Sequence, residues 1–233
     1  MSQPVPLHHL DHKDLRVITD RGAAYGDDVM FCPTFPQEFR AVQAHYPIVF
    51  RATADGGYEA LALFGFEAGE NLFLTPQGWD AHYVPLAVER HPFLIGRHGD
   101  ELNIHIDLDH PRVNTTVGEK LFLSYGGISE YLERINSVLL TLHQGLQAMP
   151  AFVQALREHE LLESFVADIT LQDGAEHRLA GFYTIHEERL HALPGAALER
   201  LSRDGHLQAI YMVVASFAHM RDLIARRERR HAA

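Results

Sequence analysis

The spacing of the hydrophobic residues changes once along the chain, close to Gly126. Before this residue, prolines and glycines divide the sequence into short runs that are rich in aromatic and β-branched residues, which is typical of strands. After it, apolar residues recur at alternating steps of three and four, which is typical of amphipathic helices. Because the strand and helix patterns do not alternate, we do not expect a doubly wound parallel sheet.

We predict a single α+β domain over residues 1–233. Its β-rich antiparallel half covers residues 1–125, and its helix-rich half covers residues 126–233 and contains a β-hairpin. A short helix between Pro36 and Pro47 is expected to interrupt the strands of the first half. The predicted strands are Asp14–Thr19, Pro47–Arg51, Tyr58–Phe64, Asn71–Leu74, His82–Val88, Leu102–Leu108 and Lys120–Leu123.

The second half is predicted to hold a long helix, a hairpin and a final helix. The long helix carries an apolar stripe formed by Leu132, Ile135, Leu139, Leu142 and Leu146. Ser129 is a suitable N-cap for the long helix, and Pro150 is expected to end or kink it and to start another helix that runs to about Glu163. The predicted hairpin strands, joined across Asp173-Gly174, are Phe165–Leu171 and Arg178–Ile185. The final helix carries an apolar stripe formed by Leu207, Ile210, Tyr211, Val214, Phe217 and Ala218.

The chain is acidic, with 31 acidic and 20 basic residues and a formal net charge of −11 when histidine is neutral. Such a charge repels a phosphate backbone, so we expect no nucleic-acid partner. The basic exception is the segment 221–230, which contains five arginines. We interpret it as a solvated helix end, where cations favour the negative end of the helix dipole.

Cysteine content and the absence of targeting signals indicate a reducing compartment. Cys32 is the single cysteine, which excludes an intrachain disulfide and a CxxC site. Residues 1–12 lack the apolar core of a signal peptide. The longest apolar run, Ala209–Ala218, is about half of the ~20 residues that a membrane span needs. We expect a soluble cytoplasmic protein without a membrane span.

Motif searches return no complete catalytic constellation. The chain contains neither GxGxxG nor GxxxxGK[ST], which disfavours dinucleotide and NTP phosphate sites. It also lacks the GxSxG elbow of serine hydrolases. We therefore expect no cofactor and favour a non-catalytic protein.

One pair of residues offers an alternative. His105 and Asp107 lie two apart in a predicted strand and so project from the same face. An HxD pair is half of the 2-His-1-carboxylate triad of non-haem iron oxygenases, which needs a distant second histidine. His186 or His177 is a candidate for that ligand. The alternative is thus an Fe(II)/2-oxoglutarate-type oxygenase, although a polar outer face on a half-buried strand is the favoured interpretation of the pair.

Aromatic and basic residues concentrate between positions 79 and 93. Trp79, Tyr83, Arg90 and Phe93 are candidates for a binding surface, because aromatic side chains and arginine supply contact area at low entropic cost. Aromatic residues on strands more often belong to the core, and this interpretation stays open. Arg90 either binds a carboxylate inside the fold or presents its planar guanidinium to a ligand carboxylate or a partner. We favour the internal carboxylate.

Several short segments, taken in order, resemble a known family. In the first half they are Tyr46-Pro47-Ile48-Val49-Phe50, Leu63-Phe64-Gly65-Phe66, Gly69-Glu70-Asn71-Leu72-Phe73, Trp79, Tyr83-Val84-Pro85 and Arg90-His91-Pro92-Phe93. Further downstream they are Gly118, Leu121-Phe122, Gly181-Phe182, Leu190 and Gly205-His206-Leu207. In this order and spacing the chain resembles the bacterial SapC family over nearly its whole length.

The resemblance implies a bacterial protein whose family name comes from a gene associated with a surface-layer array. Members are often encoded near flavin-dependent halogenase-like proteins, cupin-like oxygenases and outer-membrane receptors of the TonB-dependent type. The permease subunit that carries the same letters is a different protein. Asp107 matches the family pattern, whereas His105 stands where the family usually has cysteine, which weakens the iron-site alternative.

Together these observations predict a SapC-like binding or accessory protein that acts beside a bacterial surface, uptake or modification system. A protein or peptide is the expected partner, and a homodimer stays open.

Overall fold

Every strand pair in the described residues is antiparallel, and most helical residues lie in the second half of the chain, which confirms the predicted α+β class. The computed structural model describes residues 4–98, 101–170 and 176–231. The chain divides into two compact units. The first comprises Met1–Asp27, Leu74–Trp79 and Leu86–Gln144, and the second comprises Asp28–Phe73, Asp80–Pro85 and Gly145–Ala233.

The elements follow one another as short strands and then longer helices. The strands are β1 (Val5–Pro6), β2 (Arg16–Val17), β3 (Phe31–Thr34), β4 (Ile48–Ala52), β5 (Tyr58–Leu63), β6 (Leu74–Thr75), β7 (Gly78–Trp79), β8 (Phe93–His98), β9 (Glu101–Ile106), β10 (Val113–Asn114), β11 (Glu119–Lys120), β12 (Leu162–Thr170) and β13 (Glu176–Ile185). The α-helices are α1 (Phe39–Val42), α2 (Leu86–Glu89), α3 (Glu130–Glu158), α4 (Glu187–His191), α5 (Gly195–Arg203), α6 (His206–Ser216) and α7 (His219–His231).

The first unit contains small sheets in the orders β1-β9-β8 and β10-β2-β11, together with the pair β6-β7. The N-terminal part of α3 supplies its helical core residues. The hydroxyl oxygen of Ser129 accepts a hydrogen bond from the Leu132 N–H at 3.2 Å, which confirms Ser129 as the N-cap. The buried core of this unit consists of Val17, Phe93, Ile106, Leu121, Phe122, Leu132, Ile135 and Leu139.

The second unit is organised by a five-stranded sheet in the order β12-β13-β4-β5-β3. The predicted hairpin is confirmed as β12 and β13, while the predicted turn at Asp173-Gly174 lies outside the described residues. Strand β3 is one of the two edge strands of this sheet and carries Pro33, which agrees with the preference of proline for sheet edges. Helix α6 buries Ala209, Ile210, Val213 and Ser216 in this unit.

One sequence prediction near a proline is wrong, and another is wrong in part. No strand forms over His82–Val88, because residues 82–85 are irregular and Leu86–Glu89 is helix α2. Pro85 directly precedes this helix, and its fixed φ suits a helix start. Pro150 lies inside α3 and so does not end it, while the kink predicted as the alternative stays a prediction. A proline inside a helix costs about 3 kcal/mol, which is offset because Met149, Phe152 and Val153 are all buried around it.

The C-terminal arginines are not a solvated helix end, because three of them bind within the second unit. Arg226 donates to the Asp80 carboxylate at 2.6 Å and lies over the Phe73 ring. Arg227 binds Glu67 at 2.8 Å and also contacts the buried carboxylate of Glu70. Arg230 donates to a backbone carbonyl at 2.9 Å. The residues that accept these hydrogen bonds are about 150 positions away in the sequence. The local sequence around the arginines therefore does not predict them.

Among the helices of the described residues, none combines the length and the apolar character that crossing a membrane requires.

Candidate functional site

The first unit buries a complete arginine side chain. Arg112 is only 1% exposed, and its Nη2 donates to Oδ2 of Asp27 at 2.6 Å, where the carboxylate is 2% exposed. Its Nη1 donates to the backbone carbonyls of Ile18 and Asp20 at 2.9 and 2.5 Å. The remaining donor, Nε, is buried and has no hydrogen-bond partner among the described residues. A buried N–H without an acceptor is costly, so this atom marks a place where an acceptor would be stabilising.

A second arginine shares the same carboxylate. Nη1 of Arg21 lies 3.5 Å from Oδ1 of Asp27 and donates to the Val88 carbonyl at 3.3 Å. Burial lowers the pKa of Arg21, and the nearby charge of Arg112 lowers it further. Asp27 also accepts the Gly22 N–H at 2.9 Å. One buried carboxylate thus holds two guanidinium groups and a backbone amide.

A third arginine lies in the turn around the cis peptide bond between His91 and Pro92. Nη1 of Arg90 donates to the Phe93 carbonyl at 2.7 Å, and the Phe93 N–H donates to the Arg90 carbonyl at 2.7 Å. The side chain therefore closes the turn from which it projects. The acceptor of this hydrogen bond is a backbone carbonyl inside the fold, whereas the sequence predicts a carboxylate.

Two histidines stack beside these arginines. The rings of His91 and His110 have centroids 5.6 Å apart and an interplanar angle of 18°. Burial lowers the pKa of His91 to about 3, helped by the charge of Arg90. Burial and the charge of Arg112 also lower the pKa of His110. Nδ1 of His110 accepts the Arg112 N–H at 3.2 Å, so this nitrogen carries no proton. Both imidazoles are neutral at pH 7.

We call Arg21, Arg90, His91, His110 and Arg112 the arginine–histidine cluster. Its electrostatic surroundings contain one further arginine, Arg134, which is 2.5 Å from Glu89. Asp107 raises the pKa of His110 slightly against the larger opposing causes. Burial raises the pKa of the adjacent Tyr131 to about 12, so its hydroxyl stays protonated and can donate. The main charges that act on the cluster and on Tyr131 are those of four arginines and of three carboxylates, Asp27, Glu89 and Asp107.

The four aromatic and basic candidates from the sequence lie in different surroundings. Phe93 is fully buried in the core of the first unit, and its ring lies 6.2 Å from that of Tyr131. Trp79 is half-buried in β7 of the same unit. Tyr83 belongs to the second unit, where its hydroxyl donates to Glu38 at 2.8 Å. Of the four, the structure brings together Arg90 and Phe93, which share one turn.

The residues of the iron-site alternative have local structural contacts. The His105 ring occupies the space that a side chain at Gly96 would fill on the neighbouring strand. Oδ1 of Asp107 accepts the Asp109 N–H at 3.1 Å. His186 is the N-cap of α4, and its Nδ1 accepts the Arg189 N–H at 3.4 Å.

Within the described part of the chain, no three His, Cys, Asp or Glu side chains are grouped to hold a metal ion. The side chain of His177, the other histidine considered as a ligand, lies outside that part. The iron-site alternative stays a prediction.

The family comparison covers both units. The model of the SapC family matches residues 7–223 of the 233-residue chain. The chain belongs to the SapC family. Comparisons with curated proteins and with solved structures returned no match. SapC membership confirms the resemblance read from the ordered segments, and the cluster lies inside the matched region.

Sequence reasoning identified Arg90 and the neighbouring His91 but missed Arg21, His110 and Arg112. Asp27 and Arg112 are 85 positions apart, and neither stands in a motif. The sequence signal that could have been used was the His91-Pro92 pair in the SapC segment. This pair indicates the turn but not the residues that pack against it. The antiparallel pairing of β2 with β10 and the hydrogen bond from the Ile18 N–H to the Arg112 carbonyl bring the two segments together.

Proposed function

We propose that this SapC-family protein is a non-catalytic binding protein that acts as an accessory to a bacterial surface, uptake or modification system. We further propose that its arginine–histidine cluster binds an oxyanion group, a carboxylate or a phosphate, on a ligand or on a partner peptide. The observation that carries the proposal is the buried Nε donor of Arg112, which has no acceptor among the described residues and belongs to a group of arginines that includes Arg21 and Arg90.

The composition of the cluster favours an anion over a cation. Guanidinium groups match carboxylate and phosphate oxygens in geometry and cannot lose their proton near neutral pH. The neutral histidines add N–H donors without adding charge. A bound oxyanion would offset the repulsion between Arg21 and Arg112, which now share one carboxylate. The same cluster repels a metal cation.

A binding role also agrees with the chemistry that the cluster lacks. His91 has a pKa of about 3, so it is a poor proton acceptor at pH 7. The hydroxyl of Tyr131, with a pKa of about 12, does not ionise there. General acid–base catalysis works best when the pKa lies near the working pH. These groups are suited to hold a ligand and not to exchange protons with it.

Thermal unfolding of tag-free protein in phosphate, succinate and chloride at matched ionic strength tests the proposal. A ligand at 100 times its Kd stabilises the folded state by about 2.7 kcal/mol, which raises the Tm of a protein of this size by several degrees. We expect phosphate or succinate to raise the Tm above that in chloride. Arg21→Gln should remove the increment.

The matched control is Arg203→Gln, which alters an exposed arginine of α5 in the second unit. It should keep the increment of the unaltered protein. Equal Tm values in all three salts, or an increment that survives in Arg21→Gln, would disprove oxyanion binding at the cluster.

A further inference from the structure

The second unit contains a groove of about 640 Å³ between its sheet and the C-terminal part of α3. This volume lies within the range of pockets that bind small molecules. Its apolar lining is formed by Pro33, Ala60, Leu146, Met149, Pro150 and Val153. The side chains of Ala60, Met149 and Val153 are buried, whereas Leu146 is 41% exposed. Pro33 and Pro150 are exposed as well. The apolar lining is therefore partly open to solvent, and an apolar ligand can cover it.

The charged groups around the groove are bound to one another. Arg51 binds Glu59 at 2.6 Å. Glu158 accepts from Gln154 at 2.9 Å and lies 3.7 Å from Arg200.

The other two charged residues of the rim also have internal contacts. Asp55 accepts the hydrogen bonds of Thr53 and of the Gly57 N–H. Arg157 donates to the Gly56 carbonyl at 3.2 Å. The lining itself carries three carboxylates and one guanidinium, and Arg51 and Arg200, which bind Glu59 and Glu158 from beside the groove, bring the total to three of each. The electrostatic match is therefore to an uncharged occupant.

The edge strand beside the groove is not suited to a peptide strand. Met30 lies opposite Phe64 and accepts its N–H at 2.7 Å, so alternate residues of β3 turn their backbone groups away from β5. Pro33 occupies one of these outward positions and has no N–H to donate. A peptide therefore cannot extend the sheet in register past this point.

We infer that this groove binds an uncharged, elongated apolar molecule, such as the alkyl chain of an alcohol or an ester. The apolar floor supplies the affinity, and the balanced rim disfavours a charged head group. The inference is independent of the proposed function, because the oxyanion cluster belongs to the first unit.

Calorimetric titration with hexanol, octanol, octanoate and octylammonium, below their aggregation limits, tests the inference. Each buried methylene tightens binding about fourfold, so octanol should bind roughly 15 times more tightly than hexanol. Octanoate and octylammonium should each bind at least about tenfold more weakly than octanol, because a charge must lose its hydration at the rim. Equal affinity of octanol and either ion, or no gain from hexanol to octanol, would overturn the inference.

Variants inside and outside the groove test whether octanol binds there. Gln154 is exposed and lines the groove, so Gln154→Trp fills it from the rim without altering the core and should weaken octanol binding at least tenfold. Gln144→Trp changes an exposed glutamine of α3 that does not line the groove and should leave binding unchanged. If Gln154→Trp does not fold, Leu146→Trp replaces it. Octanol binding that survives in the folded groove variant would place the ligand elsewhere. Phosphate stabilisation, measured separately, reports on the first unit alone.

Discussion

His91 and His110 stack with their ring centroids 5.6 Å apart, and each ring lies close to an arginine that would repel a second positive charge. Burial is the main cause of the lowered pKa of both rings, and the arginines add to it. The pair therefore stays neutral over a wide range of pH. Because the pair is neutral in the folded protein, the free energy of unfolding depends on pH under acid conditions.

Stability should fall as the pH drops below about 6.5. In the unfolded chain His91 takes up a proton near the ordinary histidine pKa of about 6.5, whereas in the folded protein it does so only near pH 3. Between these values the unfolded state binds more protons, so the free energy of unfolding decreases by roughly 1 kcal/mol per pH unit. Above pH 6.5 His91 contributes no slope.

The contribution of His91 can be isolated by urea unfolding of His91→Gln between pH 7 and pH 4. We expect a shallower dependence on pH than in the unaltered protein, because the group that gains a proton on unfolding is absent. His191→Gln, at an exposed position of α4, should keep the original slope. Identical slopes for His91→Gln and the unaltered protein would show that His91 titrates normally in the folded state.

Removing the charge of Asp27 should destabilise the protein strongly. Asp27→Asn leaves the buried guanidinium of Arg112 without its carboxylate, and breaking a buried ion pair from one side costs about 3–5 kcal/mol. Asp109→Asn, at an exposed position, is the control and should cost less than about 0.5 kcal/mol. Urea melts measure both. A loss below about 1 kcal/mol for Asp27→Asn would mean that water reaches the Arg112 guanidinium.

Two phenylalanines of the second unit differ in burial, and their replacement by alanine should therefore differ in its effect on stability. Phe152 is fully buried, so Phe152→Ala should cost about 3–5 kcal/mol. Phe217 is half-buried and packs edge-on against Phe165 at 5.2 Å, so Phe217→Ala should cost about 1–2 kcal/mol. Denaturant unfolding ranks the two variants. Equal losses would contradict the difference in burial.

The helical periodicity of the sequence predicted the fold better than individual residues predicted the candidate site. The stripe that begins after Ser129 predicts the buried face of α3 correctly at Leu132, Ile135 and Leu139, because a helix face depends on neighbours three and four residues away. It fails at Leu146, which is exposed at the groove. Local periodicity gives the side of a helix that faces the core but not where the core ends.

The arginine–histidine cluster could not be predicted from the sequence, because its contacts join residues that are far apart in the chain. The Arg112–Asp27 ion pair depends on two strands of two residues each, β2 and β10, whose pairing is set by tertiary packing. Arg112 has the sequence context of a surface residue after His110-Pro111. Nothing within four residues of Arg112 distinguishes a buried arginine from an exposed one. Arg90 was found because it stands in a segment shared with the SapC family.

Arg90 provides the last prediction, which concerns the turn around His91 and Pro92. The Arg90 guanidinium donates to the Phe93 carbonyl at 2.7 Å, and Phe93 lies in the core of the first unit. Lysine keeps the positive charge but lacks the planar donor geometry, so Arg90→Lys should lose this charged hydrogen bond, worth about 1.5–3 kcal/mol. For a protein of this size the Tm should fall by roughly 3–10 °C.

Calorimetry of Arg90→Lys beside Arg203→Lys measures the effect, since Arg203 is an exposed arginine whose replacement should leave the Tm within about 1 °C. The phosphate or succinate increment gives a second readout. If Arg90 only closes the turn, Arg90→Lys lowers the Tm equally with and without phosphate. If its guanidinium also contacts the oxyanion, the variant loses part of the increment as well. An unchanged Tm in chloride would show that the contact with the Phe93 carbonyl does not stabilise the fold.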